Sequence, residues 1–277
     1  MGPTCIGKTN LSIKLLDYLP CEIVSVDSCM VYKDMNIGTG KPSLYLLKKV
    51  KHHLIDICDP VENYTVFDFC RDSCLIIESC WKRGKIPLFV GGSMMYFWAL
   101  YQYIFFLKNL YFFNSFRFGC SENLSFSFYK YYNLHYKLLD IFSDRKQILF
   151  DNMRLLRFFN IAIVPVDKYK LYNRIESRFY GMFKDGFIDE VFLLYSRKNL
   201  DLKCKSVRSI GYRDLWLYFD GKLSLYNAKK SILNSTINLS SQQLLWLKKW
   251  KDDLIFIEDR KDDMLSYLLN IIGRHVF

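Results

Sequence analysis

The chain of 277 residues is 51% hydrophobic, enough for one large domain, alone or with an insert, and this excludes wholesale disorder. Its formal net charge of +11 favours a polyanionic partner, nucleic acid before a membrane, although the scarcity of alanine beside abundant Lys, Asn, Ile, Phe and Tyr also fits drift toward AT-rich codons. The nine cysteines are odd in number and lack a C-x-x-C pair, which favours reduced thiols in a cytoplasmic protein over a disulfide or zinc framework.

The N-terminal stretch GPTCIGKT fits the phosphate-binding P-loop pattern G-x-x-x-x-G-K-[ST]. It comprises Gly2, Pro3, Thr4, Cys5, Ile6, Gly7, Lys8 and Thr9. In such a loop the backbone N–H groups and the following helix N-terminus face the phosphate, Lys8 neutralises its charge, and the Thr9 hydroxyl holds Mg²⁺. The alternative interpretation is a capped helix whose glycines serve packing alone.

A P-loop requires a strand before it, and only Met1 stands there. We therefore expect the first strand to be missing, either because a start codon was assigned too late or because the gene is truncated. The leucines that follow the loop form an apolar stripe at helical spacing, which predicts the required helix over residues 9–19.

Further along the chain, short apolar runs alternate with longer helical patterns. Strands are predicted at residues 22–26, 54–57, 88–90, 161–166 and 254–257. Helices are predicted at residues 66–83, 93–102, 168–185 and 189–196. This alternation predicts an α/β fold with a parallel sheet flanked by helices, and it places the ligand site beyond the carboxyl ends of the strands.

Residues 86–107 carry no charge and are long enough to cross a membrane. Pro87 and the Gly91-Gly92 pair interrupt them, which favours a buried strand followed by a helix over a membrane span. Residues 103–150 are dense in Phe and Tyr with interspersed basic residues, and we interpret them as a mostly helical insert. Their aromatic side chains either stack on RNA bases or form the core of the insert.

Asp27 directly follows a predicted strand, at the sheet edge where the P-loop is also expected. It could be a magnesium-side carboxylate, a general base, or a cap that merely closes a turn, and its spacing alone does not separate these roles. Ser93 follows Gly91-Gly92, where a helix N-cap is the ordinary role, and a functional role requires that it lie near Asp27. His52 and His53 are expected to be structural.

In their order along the chain, several stretches resemble the tRNA dimethylallyltransferase (tRNA isopentenyltransferase) family. They are GPTCIGKT, EIVSVDSCMVYKDMNIGTGKPS, HHLIDICDPVENYTVFDF, IPLFVGGSMMY, DNMRLLRF, GFIDEV and SVRSIGYRDLW. The segment DSCMVYKDMNIGTGKP is much more specific than a P-loop alone. The resemblance covers most of the chain and implies a P-loop core in residues 1–102, a helical tRNA-binding insert in 103–153, and the rest of the core with C-terminal helices in 154–277.

The resemblance implies transfer of a dimethylallyl group from dimethylallyl diphosphate to N6 of the adenosine next to the anticodon. The P-loop would then hold the departing diphosphate with Mg²⁺, Asp27 would be the base, and Ser93 would occupy the family's usual threonine position. The segments that would meet the tRNA anticodon stem-loop contain Asp27, Ser28, Cys29, Met30, Met153, Arg154, Leu155, Leu156, Arg157, Arg208, Gly211, Tyr212 and Arg213. We expect a cytoplasmic monomer without a membrane partner.

This chain departs from the family pattern at several positions. Met153 and Asn160 stand where Gln and Glu are usual, and Ile237, Ser241 and Gln242 stand where the family's C-terminal helix is basic. These losses bear on tRNA affinity more than on the catalytic centre. Two other functions stay open from the residues alone: a small-molecule P-loop kinase that uses Asp27 as a metal ligand, and a decayed RNA-binding remnant without activity.

Overall fold

The computed structural model describes residues 1–114, 158–250, 254–259 and 264–276. Within these residues the strands are β1 (Cys21–Val26), β2 (His52–His53), β3 (Ile86–Gly91), β4 (Ile161–Val164) and β5 (Ile255–Glu258). The helices are α1 (Lys8–Leu15), α2 (Leu44–Lys49), α3 (Val66–Lys82), α4 (Met94–Asn114), α5 (Lys168–Lys184), α6 (Phe187–Tyr195), α7 (Tyr212–Phe219), α8 (Leu225–Lys249) and α9 (Met264–Val276).

Strands β1, β2 and β3 form one parallel sheet in the order β2-β1-β3. Strand β1 pairs with β3 along its whole length, from Cys21 opposite Ile86 to Val26 opposite Gly91. Helix α3 provides the crossover between β2 and β3, and its N-terminus is fixed by a capping box of Thr65 and Asp68. The carboxyl ends of β1 and β3 therefore lie side by side, as the alternating pattern predicts.

The parallel sheet is divided, because β4 and β5 form a second parallel pair. Met1 lies along β4: its backbone nitrogen donates to the Ile161 carbonyl at 2.7 Å, and its carbonyl accepts from the Ile163 N–H at 2.9 Å. A Cβ atom on Gly92, just after β3, would lie 3.2 Å from the Gly2 carbonyl oxygen. Met1 and Gly2 thus lie between the end of β3 and the strand β4.

The strand predicted at residues 54–57 is wrong. The paired residues are His52 and His53, and the chain then turns, with Leu54 and Asp56 at φ values of 63° and 55°. Leu54 is buried in this turn, which explains why the run reads as apolar. The Asp56 carboxylate accepts from the buried ammonium group of Lys41, so this segment fastens the loop that follows β1.

Helix α4 continues through Asn114, beyond the end predicted at residue 102 and beyond the predicted boundary of the insert. Most of the predicted insert lies outside the described residues, so its helical structure and its binding of tRNA stay predictions.

Within the described ranges, no helix combines the length and apolar content needed to cross a membrane. Each described cysteine is free, and Cys70, Cys74 and Cys80 are buried.

Two hydrophobic clusters position the site. The larger packs β1, α3 and α4 with the helices α6, α7 and α8, and its largest fully buried members include Tyr32, Phe69, Phe187 and Tyr212. The smaller joins the P-loop and α1 to α5, β4, β5 and α9 through residues such as Ile6, Ile175 and Ile257. The P-loop is therefore held by elements from the C-terminal half of the chain.

Candidate active site

A cavity of about 890 Å³ lies at the carboxyl ends of β1 and β3. The P-loop residues Thr4, Cys5, Ile6, Gly7, Lys8 and Thr9 line it, whereas Gly2 and Pro3 are buried behind them. The segment after β1 contributes Asp27, Ser28, Cys29 and Met30, and the end of β3 contributes Gly91 and Gly92. The three segments predicted to share one sheet edge therefore surround one cavity.

The P-loop has the backbone geometry of an anion cradle. It passes through the left-handed region at Cys5, with φ of 60°, and at Gly7, with φ of 93°, and α1 begins at the next residue, Lys8. The first N–H groups of a helix have no partner within the helix, so they are free to face an anion. The Lys8 ammonium group donates to the Pro3 carbonyl at 2.6 Å, which folds its side chain back over the loop.

Lys8 is partly buried, with charged groups of both signs nearby. Burial lowers the pKa of Lys8 to about 8, the nearby Asp27 carboxylate and the Cys5 thiol oppose this change, and the charge of Arg178 adds to it. Asp27 and Lys8 line the same cavity, and the negative charge of Asp27 favours the charged form of Lys8. This is the relationship that a base beside a diphosphate cradle requires.

One oxygen of Asp27 closes the turn after β1. Its Oδ1 accepts the backbone N–H groups of Cys29 at 2.8 Å and Met30 at 3.1 Å. The turn-capping role considered for Asp27 is therefore present, and it holds the carboxylate in one orientation. Within the described residues, no hydrogen bond to Oδ2 is found, so the second oxygen is left to take a proton or a metal ion.

Ser93 lies beside this turn. Its hydroxyl accepts the backbone N–H of Ser28 at 3.2 Å, and its own N–H donates to the Val26 carbonyl at 3.2 Å. Ser93 also precedes the first residue of α4, so it joins the helix start to the residue that follows Asp27. The proximity on which its functional role depends is found.

Two arginines on α5 line the cavity, although no functional role was predicted for them from the sequence. The Arg178 guanidinium donates to the Thr4 hydroxyl at 3.3 Å and to the Thr39 carbonyl at 3.2 Å, so it connects the P-loop to the loop before α2. Arg174, one turn earlier, also lines the cavity and pairs with Asp259. Their four-residue spacing beside the apolar face of Leu171, Ile175 and Phe179 is the signal that could have indicated them.

Two further polar side chains tie the walls of the cavity together. Glu190 of α6 accepts the backbone N–H groups of Asn36, Ile37 and Gly38 and the Tyr212 hydroxyl. Gln243 of α8 contacts Thr4 and Gly92. Glu190 lies in the family-like stretch GFIDEV, but no local pattern predicts the contacts of either residue, because the partners of each lie far away in the sequence.

The remaining residues predicted to meet tRNA fall into three groups. Arg208, Gly211 and Tyr212 line the cavity, whereas Arg213 is exposed outside its lining. The Cys29 thiol donates to the Ser209 hydroxyl at 3.2 Å, so the turn after β1 contacts the turn before α7. Met153, Arg154, Leu155, Leu156 and Arg157 lie outside the described residues. Lys205, which the sequence did not single out, also lines the cavity.

The two adjacent histidines make separate contacts. The His53 ring contacts the Glu22 carboxylate at 2.7 Å, and Nδ1 of His52 contacts the Val50 carbonyl at 2.8 Å. His53, Glu22 and Cys80 lie close together near the start of β1, where Arg83 also binds Glu22 through two nitrogens. This cluster lies near the amino end of the strand, and its three members do not line the cavity, although the adjacent His52 does.

A family model described as IPP transferase matches residues 30–115 and 130–250 of the chain. A tRNA dimethylallyltransferase of Buchnera aphidicola subsp. Cinara cedri (strain Cc) is 36% identical over 314 aligned residues, covering 100% of this chain and 97% of the relative. A tRNA dimethylallyltransferase of Legionella pneumophila (strain Paris) is 34% identical over 282 residues, covering 92% of this chain and 90% of the relative.

Two solved structures share the fold. The full-length tRNA isopentenylpyrophosphate transferase of Bacillus halodurans has a TM-score of 0.74 at 27% identity, covering 99% of this chain and 94% of that one. A tRNA isopentenylpyrophosphate transferase of Staphylococcus epidermidis also has a TM-score of 0.74, at 23% identity, covering 99% and 98% of the two chains. With its P-loop, its turn at Asp27 and these matches over most of its length, the chain belongs to the IPP transferase family.

Proposed function

We propose that the protein transfers a dimethylallyl group from dimethylallyl diphosphate to N6 of the adenosine next to the anticodon in tRNA, releasing diphosphate. The family and the names of the relatives support this reaction. The observation that carries it is that Asp27 and the P-loop Lys8 line one cavity and interact electrostatically. A base for the acceptor and a cradle for the leaving group are thereby adjacent.

The donor side of the cavity suits a diphosphate. The start of α1, Lys8 and Arg178 supply N–H groups and positive charge, which stabilise the charge that develops on the leaving group. Thr9 lies in the first turn of α1 on the wall that Asp27 also lines, and oxygen donors of this kind fit Mg²⁺. When bound, Mg²⁺ supplies further positive charge to the departing diphosphate.

The acceptor side requires a base, because an exocyclic adenine amine is a weak nucleophile. The carbon–oxygen bond to diphosphate breaks as the nitrogen–carbon bond forms, and the amine proton passes to Oδ2 of Asp27. Such proton transfer contributes about 10²–10⁴-fold to the rate. The two N–H donors on Oδ1 and the Ser93 hydroxyl beside Ser28 hold the carboxylate in place for this step.

The adenosine must leave its stack to reach the cavity, which costs a few kcal/mol that contacts to the rest of the tRNA offset. The exposed Arg208, which lines the cavity, supplies a cationic partner for the RNA backbone, whereas the ammonium group of Lys205 donates to the Tyr64 carbonyl. The same proposal describes the protein as a monomer in the cytoplasm. Sedimentation of the purified chain and cell fractionation check these two points.

Incubation with undermodified tRNA, dimethylallyl diphosphate and Mg²⁺ tests the reaction. We expect digested tRNA to contain an adenosine heavier by one dimethylallyl group in place of one hydrogen. ATP hydrolysis without tRNA would support the kinase instead, as would consumption of ATP with a small-molecule acceptor. Binding of tRNA without any product would support the decayed remnant.

A further inference from the structure

Gln243 is a buried polar side chain at the junction of the donor loop and the acceptor side of the cavity. It belongs to α8 and is 7% exposed. Its Oε1 accepts the backbone N–H of Thr4 at 2.8 Å, and its Nε2 donates to the Gly92 carbonyl at 3.0 Å. One amide group thus satisfies a donor in the P-loop and an acceptor at the end of β3.

Gly92 packs tightly against the amide of Gln243 and against the P-loop backbone. A Cβ atom on Gly92 would lie 2.5 Å from Nε2 of Gln243 and 3.2 Å from the Gly2 carbonyl oxygen. The P-loop, the end of β3 and α8 therefore meet in direct contact, and glycine is the residue that permits it. Thr4 precedes the helix start, so its bond to Gln243 leaves the N–H groups of the first turn of α1 to a phosphate.

Ser93, the residue after Gly92, contacts the residue that follows the proposed base, Asp27. Ser93 holds the N–H of Ser28, and the neighbouring Asp27 is fixed by Cys29 and Met30. Bonded groups therefore connect the P-loop to Asp27 through Gln243, Gly92 and Ser93. The length of this connection sets how far the diphosphate cradle lies from the carboxylate.

We propose that Gln243 is a positioning residue that fixes the separation between the diphosphate cradle and Asp27. The inference rests on the proposed function. In a displacement reaction the nucleophile, the carbon and the leaving group must be in line, and a misplacement of about 1 Å costs on the order of 10²-fold in rate. Gln243 therefore acts on the chemical step rather than on the binding of either substrate.

The test is Gln243→Met, which keeps the side-chain volume and removes both hydrogen bonds. The matched control is Asn234→Leu, because Asn234 is an exposed amide of the same helix. Single-turnover rates are measured with tRNA and dimethylallyl diphosphate both saturating, together with the tRNA dissociation constant and the melting temperature. We expect the Gln243→Met rate to fall about 10²-fold while tRNA binding changes less than about threefold. The Asn234→Leu variant should match the parent in all three measurements.

A second variant keeps the inference testable if Gln243→Met does not fold. Gln243→Glu retains the acceptor for Thr4 but, when ionised, cannot donate to the Gly92 carbonyl. Protonation of the introduced carboxyl restores that donor, so the ratio of variant to parent rate should rise as the pH is lowered. A purely structural role would lower the melting temperature and leave this ratio constant with pH.

The outcomes separate the two proposals. A parent protein that forms no prenylated adenosine overturns the proposed function and this inference with it. A parent protein that is active, with a folded Gln243→Met variant that reacts at the parent rate, overturns the inference alone. An equal loss of rate and of tRNA affinity also overturns it, because a positioning residue does not act through substrate binding.

Discussion

The carboxylate of Glu190 accepts the Tyr212 hydroxyl at 2.6 Å, and the same group accepts the N–H of Ile37 at 2.7 Å. Asn36 and Gly38 donate to it as well, at 2.9 and 3.1 Å. Glu190 thereby joins the loop that follows β1 to the turn that begins α7, and both segments border the cavity. Burial, and then the charge of Glu190, raise the pKa of Tyr212 well above its usual value, so the hydroxyl remains a donor.

Removal of this junction should destabilise the fold. Tyr212→Phe deletes one hydrogen bond and should cost about 1 kcal/mol, whereas Glu190→Ala leaves three N–H groups unpaired and should cost about 1–3 kcal/mol. Urea unfolding of the single and double variants measures both losses and their coupling. Strictly additive losses would contradict a direct interaction between the two side chains.

Asp27→Asn should abolish most of the transfer activity without opening the turn. The asparagine Oδ1 can still accept the N–H groups of Cys29 and Met30, but the side chain cannot take a proton, so turnover should fall about 10²-fold or more. Asp34→Asn is the matched control, because the Asp34 side chain is 73% exposed. Equal turnover of Asp27→Asn and the parent, with tRNA binding unchanged, would dismiss Asp27 as the base.

The use of the donor should depend on pH through Lys8. Because burial lowers the pKa of Lys8 to about 8, the free protein loses this positive charge as the pH rises through that value. We therefore expect kcat/KM for dimethylallyl diphosphate to fall above a pH of about 8, and the Lys8→Met variant should not show this fall.

Lys8 should also affect stability. Between the Lys8 pKa of about 8 in the folded protein and its ordinary pKa of 10.5, the unfolded chain binds more protons than the folded one, so the contribution of Lys8 to the unfolding free energy rises with pH.

The Glu22 cluster should stabilise the fold in a pH-dependent way. Burial alone would raise the pKa of Glu22, but hydrogen bonds from Arg83 and His53 and the charge of Lys51 lower it to about 2 from a model-peptide value of 4.5. The stabilisation is complete above that ordinary value and is lost as the pH falls toward 2. Glu22→Gln should therefore unfold more readily than the parent at neutral pH, with a difference that shrinks on acidification. The exposed Glu176→Gln is the control.

Binding of tRNA should weaken steeply with salt, because contacts between basic side chains and phosphates release counterions. Arg208→Gln, which removes an exposed cation from the cavity rim, should weaken binding and reduce the slope of the salt dependence by about one ion. Lys82→Gln is the control. Lys82 is the last residue of α3, shortly before β3 begins, so it lies near the amino ends of the strands and its loss should leave the slope unchanged. A flat salt response in the parent would indicate that the positive charge reflects codon drift.

Local patterns predicted the elements whose contacts are mostly local. The alternation of apolar runs and helical patterns gave β1, α3 and β3 to within about two residues at each end, and the P-loop pattern gave the start of α1. Residues 54–57 misled because a buried leucine in a turn has the same apolar signature as one in a strand. Helix α7, whose N-cap residue is Gly211, was not among the predicted helices.

The parts of the site that the sequence did not predict are those that act over long separations. The four-residue spacing of Arg174 and Arg178 marks them on α5, but no pattern on α5 or α8 shows which loop Arg178 or Gln243 meets. Asp27 and Lys8 could be placed because each adjoins a recognisable strand or loop. The contacts that Arg178 and Gln243 make with the P-loop are seen only in the folded structure.

The bond between Thr4 and Gln243 joins residues 239 positions apart, so the earliest-made segment of the site depends on one of the latest. During synthesis the P-loop leaves the ribosome long before α8, and until α8 is made the Thr4 N–H cannot form its hydrogen bond to Gln243. A nascent chain that stops before this helix would carry the phosphate motif without a partner for the Thr4 N–H. Contacts of this span slow folding, and here the shape of the cavity depends on the synthesis of α8.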